Sequence, residues 1–404
     1  MNILYSLCIA FIGLIFIFYS LLDLTKLGLA KRIKERFGFV KPQDCDIWIH
    51  AASVGEVKLS CELIKELSGK KIIVSTMTST GFVEFNKQFP KVPHFFFCID
   101  LSIIWRRLFQ RIKPKKLILL EREVWPNLIK QCAKRNIEVY LINAKFTARS
   151  FRNANKLKPI LLPAFLRIKK ILAQSNLDCQ RLIKYGLPQN KCKVVGNIKF
   201  DIKPMKIKPF ELTHPQIWVA GSTHPNEEAM LLKIHKQLLK TFPSALLIIA
   251  PRHPKRFTEV WSEISQSGLI ACRFSDGAMP TTNHAVLLLD TIGDLVRFYR
   301  SSDVCFVGGS LFPGVGGHNL LEPVSLKKPV LTGKYTGDIK HTVALLGNSL
   351  LRFNTTEQGV KLLKQLFADE SFAQDITETA FRALNRNQGA TKQCIKEVFE
   401  PLQN

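Results

Sequence analysis

The sequence predicts an α/β protein made of two doubly wound domains with parallel sheets. Three observations predict it. From about residue 45 short apolar runs alternate with amphipathic stretches, which is the rhythm of βαβ units. The rhythm breaks once, between Lys203 and Pro215, where three prolines and little periodicity mark a linker. The segments that follow the apolar runs gather Gly, Ser, Thr and carboxylates, where open α/β sheets place their ligands.

Taken in order, Ile3 to Leu22 is 20 residues without a charge, long enough at ~1.5 Å per residue to cross the ~30 Å hydrocarbon core of a bilayer. No basic segment precedes it and no Ala-x-Ala closes it, unlike a signal peptide. Lys26, Lys31, Arg32, Lys34 and Arg36 follow, and by the positive-inside rule that flank stays cytoplasmic. Residues 1–24 are therefore read as a membrane anchor helix, spanning the bilayer or lying at its interface. Residues 25–202 form the first domain, with strands expected at 47–50, 71–75, 116–120, 139–142 and 170–173 and a helix from Glu56 to Leu67. The linker is 203–214, and 215–404 form the second domain, with strands at 217–220, 245–250, 285–289, 304–307 and 329–331.

Composition narrows the function classes. The 404 residues carry 58 Lys+Arg against 32 Asp+Glu, a formal charge of +26, while 46% hydrophobic content excludes a disordered chain. The charge is lopsided: residues 1–200 hold 35 basic and 13 acidic side chains, whereas 201–404 hold 23 and 19. One lobe is thus expected to face something anionic. The ten cysteines form no Cys-x-x-Cys and no zinc-spaced cluster with His, so reduced, mostly buried thiols are expected.

Several loops that follow strands carry candidate chemistry. In Ser53-Val54-Gly55-Glu56 the glutamate starts a helix, where it either complements the helix dipole or serves as a general base. Thr76-Met77-Thr78-Ser79-Thr80-Gly81 suits a helix cap or a phosphate- or sugar-holding loop. Glu121-Arg122-Glu123-Val124-Trp125-Pro126-Asn127 puts two carboxylates at a strand end, and Gly196 to Asp201 brings Lys199 to the end of the first domain. In the second domain, amides of the Gly221-Ser222-Thr223 turn and the helix after it suit a phosphate. Arg252 offers a guanidinium after Pro251, and the glycine-rich 308–317 segment, continuing to His318-Asn319 and Glu322-Pro323, permits close backbone approach to a ligand. The one Asp-x-Asp, Asp44-Cys45-Asp46, precedes the first strand and reads as solvated.

Together these segments resemble the 3-deoxy-D-manno-octulosonic acid (Kdo) transferases of bacterial lipopolysaccharide synthesis. The matching set runs in family order from Arg36-Phe37-Gly38 through Ser53-Val54-Gly55-Glu56, Thr76-Met77-Thr78-x-Thr80-Gly81, Glu121-x-Glu123-x-Trp125-Pro126-Asn127, Asn143-Ala144-Lys145 and Gly196-Asn197-x-Lys199-Phe200-Asp201. It continues through Gly221-Ser222-Thr223-His224, Pro251-Arg252-His253-Pro254 and Gly308-Gly309-Ser310-Leu311 to Gly316-Gly317-His318-Asn319-x-x-Glu322-Pro323. The resemblance implies two Rossmann-like domains facing a cleft (the GT-B type) and an inverting transfer of Kdo from CMP-Kdo to a lipid A precursor. It implies Glu56 as the base, Glu121 and Lys199 as transition-state supports, and CMP contacts at Pro251, Arg252, Ile292, Gly293, Asp294, Asn319, Leu320, Leu321 and Glu322. No metal or cofactor is implied. The partners are the donor, the lipid acceptor and anionic lipid of the bacterial inner membrane, with the catalytic domains on its cytoplasmic side and no nucleic acid. The chain departs from the family at Ile292-Gly293-Asp294, where Met-Gly-Glu is usual, and at Gly333 to Ile339, where the usual Asn and Phe are replaced. A UDP-sugar transferase or epimerase shares the fold class. A basic module binding nucleic acid or lipid explains the charge but not the carboxylates at strand ends.

Overall fold

The computed structural model describes Tyr5 and residues 29–202, 208–277 and 279–400. The chain divides into two compact units, one of residues 1–201 with 388–404 and one of residues 202–387. Each holds a seven-stranded, all-parallel sheet. The first contains β1 (Ile47–His50), β2 (Ile72–Thr76), β3 (His94–Phe96), β4 (Lys116–Leu120), β5 (Glu138–Ala144), β6 (Lys170–Ala173) and β7 (Cys192–Val194) in the order 3-2-1-4-5-6-7. The second contains β8 (Ile217–Thr223), β9 (Leu246–Pro251), β10 (Ala271–Arg273), β11 (Val286–Leu288), β12 (Val304–Val307), β13 (Val330–Thr332) and β14 (Leu350–Arg352) in the order 10-11-9-8-12-13-14.

The central strands are buried on both faces, as parallel strands covered by helices must be. In β1, Trp48 faces one core cluster while Ile47 and Ile49 face the other. All ten expected strands form. The four not among the expected strands, β3, β7, β10 and β14, are three residues each and are the four sheet edges. An edge strand pairs on one side only and stays short; β3 nonetheless overlaps the apolar run Phe95 to Ile99, which the expected strands pass over.

Two boundaries differ from expectation. The second domain does not run to the C-terminus: the helix Ala390–Phe399 packs on the first unit, with Ala390, Cys394 and Val398 in the same core cluster as β1. Asp201 fastens it, its carboxylate accepting from Gly389 N–H and Thr391 N–H at the start of that helix, while Glu397 pairs with Lys170 and Lys193 farther along. The linker is shorter than expected too. Residues 203–207 lie outside the described residues, but Phe210 already packs its ring against Phe298, tilted at 30° with centroids 4.4 Å apart, within the second unit. Removing a helix cap costs about 1–2 kcal/mol. Asp201→Ala is therefore expected to lower the melting temperature by a few degrees, read by circular dichroism, and an unchanged melt would show that Asp201 does not fasten the helix.

The expected anchor lies outside the described residues except for Tyr5, whose hydroxyl donates to Asp100 Oδ2 at 2.8 Å. Among the described residues no helix is long and apolar enough to cross a membrane. Arg36, read as part of the basic flank, is buried and donates to the carbonyls of Met77 (2.7 Å) and Phe97 (3.4 Å). The nine described cysteines are free thiols, seven of them buried.

Candidate active site

In each sheet the strand order reverses between two central neighbours, β1 and β4 in the first and β8 and β12 in the second. Chains leaving such a pair turn away from each other, opening a crevice at the carboxyl ends. Glu56 and Glu121 follow β1 and β4, and Asn319 to Glu322 follow β12, whereas Arg252 follows β9, Ile292 to Asp294 follow β11 and Lys199 follows the edge strand β7.

In the first unit, Ser53 caps the helix Val54–Glu66 and Glu56 closes a capping box. Ser53 N–H donates to Glu56 Oε2 at 3.0 Å, and Glu56 N–H donates to Ser53 Oγ at 3.4 Å. The capping role is thus real, yet Glu56 is not an ordinary surface cap. It is buried at 7% exposure, and its pKa is raised to about 7 by that burial and by the negative charges of Glu123 and Glu121, against the Ser53 amide.

Glu121, just past β4, has φ 52°, the left-handed region that a side chain normally avoids. Its backbone is held there by Glu121 N–H to Ile142 O and Lys145 N–H to Glu121 O, both 3.1 Å. Lys199 Nζ donates to its Oε1 at 2.8 Å. Lys199 sits on the short turn Ile198–Phe200, and Asn143, also at φ 52°, accepts from Ile198 N–H at 3.0 Å. Strained positions at successive strand ends that hold one another are common at functional sites.

Sequence patterning does not single out His50. It is the last residue of β1 and fully buried, with Nδ1 3.0 Å from Ser75 Oγ and its ring stacked on Phe97 at 3.8 Å. Its Nε2 lies 3.6 Å from Glu123 Oε2. Burial pushes Glu123 up, but the facing His50 ring, Trp125 Nε1–H and Arg122 outweigh it and hold the carboxyl below the ordinary glutamate range. A polar residue ending an otherwise apolar strand is the signal that could have found His50.

In the second unit, Arg252 is exposed just after β9, and its N–H donates to Thr223 O at 3.0 Å. Ile292 is 77% exposed beside Gly293 (φ 108°). Asp294 accepts from Thr291 Oγ1 at 2.9 Å, preceding the helix Leu295–Ser301. Asn319 Nδ2 donates to Glu322 Oε1 at 3.1 Å. Leu320 and Leu321 are buried, so only their backbone is left for a ligand.

Two of the candidate loops carry internal hydrogen bonds, the first as the helix cap that is one of its two readings. Thr76 to Gly81 is a capping loop, in which Thr78 Oγ1 accepts from Gly81 N–H at 3.1 Å to start the helix Ser79–Gln88. The amides after β12 are filled from within the protein. Gly309, Ser310 and Leu311 N–H donate at 2.8, 2.9 and 2.9 Å to the carboxylate of Glu227, which is 1% exposed and also accepts from His224 N–H at 3.0 Å. Gly308 is required for this approach, because a Cβ there would lie 2.6 Å from Glu227 Oε2.

Two doubly wound parallel-sheet domains, one carrying a buried carboxylate of raised pKa beside a lysine–carboxylate pair, place the chain among two-domain enzymes of the glycosyltransferase type. Solved structures agree on the fold. A UDP-GlcNAc 2-epimerase from Neisseria meningitidis matches with TM-score 0.59 at 15% identity over 88% of this chain and all of that one. A glycosyltransferase from Rickettsia africae matches with TM-score 0.58 at 15% identity over 89% of this chain and all of that one. Residues 31–202 match the family model for the 3-deoxy-D-manno-octulosonic-acid transferase N-terminal region. The 3-deoxy-D-manno-octulosonic acid transferase of Haemophilus influenzae is 34% identical over 96% of this chain and 95% of its own length. That of Bordetella pertussis is 29% identical over 89% and 88%. The chain belongs to this family of Kdo-transferring glycosyltransferases.

Proposed function

We propose that the chain transfers Kdo from CMP-Kdo to a lipid A precursor with inversion at the anomeric carbon, at the cytoplasmic face of the inner membrane. The observation that carries this reading is Glu56, a buried carboxyl with its pKa raised to about 7 at the β1/β4 switch point. A general base works best when its pKa lies near the working pH. Glu56 takes the proton from the acceptor hydroxyl as that oxygen attacks the anomeric carbon and the bond to the CMP phosphate breaks. Lys199, held by Glu121 at 2.8 Å, is the cation for charge that develops in transfer, and Arg252 is the cation for the leaving phosphate. The uncharged run 3–22 and the basic residues after it support the membrane assignment.

Incubating the purified full chain with CMP-Kdo and lipid IVA is expected to release CMP and add the mass of Kdo to the acceptor. NMR of the product is expected to show the anomeric configuration opposite to the donor's. Absence of CMP release ends the proposal, and release driven by UDP-sugars in place of CMP-Kdo would move the chain to another donor class.

His50 acts in this reading as a positioning residue. It keeps Glu123 charged, and that charge helps raise Glu56. In His50→Ala the acidic limb of the rate profile is expected to move about one unit toward lower pH, the scale of one lost charge neighbour. An unmoved limb would leave His50 with packing alone.

A further inference from the structure

Glu121 also borders a half-open cavity of about 270 Å³ on the first unit. One side is apolar, formed by Leu141 and Phe146 from the sheet side and by Leu161 and Phe165 from the helix Lys158–Phe165, while Ser150 and Asn153 also line it. Its rim is cationic, with Arg122 and Lys145 flanking Glu121. Its volume is more than ten times what one water needs, enough for a short run of an alkyl chain. Leu157 also lines it, half exposed at the joint between the helices Ala148–Lys156 and Lys158–Phe165. Against the apolar side an alkyl chain gains at every buried methylene.

We propose that this cavity takes up part of one alkyl chain of the acceptor, with an anionic headgroup against Lys145 and Arg122. This rests on the reading of the acceptor as a phosphorylated glycolipid and gives it a place: the chain is buried beside Glu121, so the headgroup is held on the strand-end segments that carry the catalytic residues. Burying a methylene strengthens binding about fourfold, so chain length inside the cavity governs KM, while the reacting groups govern kcat.

Two measurements test it. The first is binding of a fluorescent alkyl probe, 11-(dansylamino)undecanoate, to the full chain. Enhanced fluorescence, displaced by laurate, is expected with the natural sequence and is expected to fall at least tenfold in affinity in Leu161→Trp, which fills the cavity. Leu161→Ala, which enlarges it, serves as a second variant, and thermal melts confirm that both fold. The second is CMP release with acceptors of graded acyl length and with a fully deacylated acceptor. KM is expected to fall as chains lengthen, and Leu161→Trp is expected to raise KM for acylated acceptors about tenfold without changing KM for the deacylated one. Equal probe binding in the natural chain and Leu161→Trp, no probe binding at all, or a KM indifferent to acyl length overturns the cavity assignment while transfer itself persists. If no acceptor releases CMP, the transferase reading fails instead, and the probe measurement still decides what the cavity holds.

Discussion

Replacing Glu56 with Gln is expected to lower turnover by about 10²–10⁴-fold, the usual contribution of a positioned base, while making the folded protein more stable above pH 7. Both halves follow from one cause. The folded-state pKa of Glu56 is raised from 4.5 to about 7 by burial and by the charges of Glu123 and Glu121. Between those values the folded state binds more protons than the unfolded state, so stability is fully present below about pH 4.5 and is lost as pH rises through about 7. The loss is roughly 3 kcal/mol at 1.36 kcal/mol per pKa unit. Gln stays neutral and keeps an acceptor for the Ser53 amide, so it escapes that loss. Thermal melts of the two proteins are expected to agree near pH 4 and separate above pH 7, with the variant higher. The rate of the natural enzyme is expected to be half-maximal near pH 7 on its acidic limb and flat above it. Near-normal turnover in the variant would remove Glu56 from its role, whatever the melts show.

Glu227→Ala is expected to destabilise the second unit severely. The carboxylate accepts four backbone N–H groups, from His224, Gly309, Ser310 and Leu311, at 2.8–3.0 Å. Each buried donor left unpaired costs about 1–3 kcal/mol. Relaxation and entering water keep the four from summing, so a loss of roughly 4 kcal/mol is expected, at the exceptional end for point substitutions. Glu227→Gln is expected to lose less. Its carbonyl still serves two donors, while its amide turns an N–H toward the other two. Gly308→Ala reaches the same result from outside, since its Cβ would lie 2.6 Å from the carboxylate. Denaturant melts followed by circular dichroism measure all three. A loss under about 1 kcal/mol in Glu227→Ala would show that the 309–311 turn is held by something else.

What the sequence makes legible, and what it hides, divides along physical lines. β1, β4, β6 and β12 stand where the apolar runs put them, because strands buried on both faces need an uninterrupted run. β7, β10 and β14 escape because they are three-residue edge strands, each with a polar or half-exposed residue, whereas β3 is passed over although Phe95 to Cys98 form a buried apolar run. Ser53 to Glu56 discloses a carboxylate at the start of a helix, but the raised pKa of Glu56 depends on its burial and on Glu123 and Glu121, which arrive from the segment after β4. His50 stays hidden for the same reason: its meaning lies in Ser75 and Glu123, which sequence distance conceals. Glu227 reads as an acidic helix start near an anion site, when its carboxylate is itself the anion that the amides hold.

The return of the helix Ala390–Phe399 to the first unit sets the order in which the protein can be completed. During synthesis residues 1–201 leave the ribosome first, yet Ala390, Cys394 and Val398, which close one core face beside β1, emerge last. Domains made early in translation normally fold as units before the rest appears. Here the early domain must wait, with that face open, until the whole of 202–387 has been made. A premature stop anywhere in the second unit therefore yields two incomplete domains, not one finished and one missing.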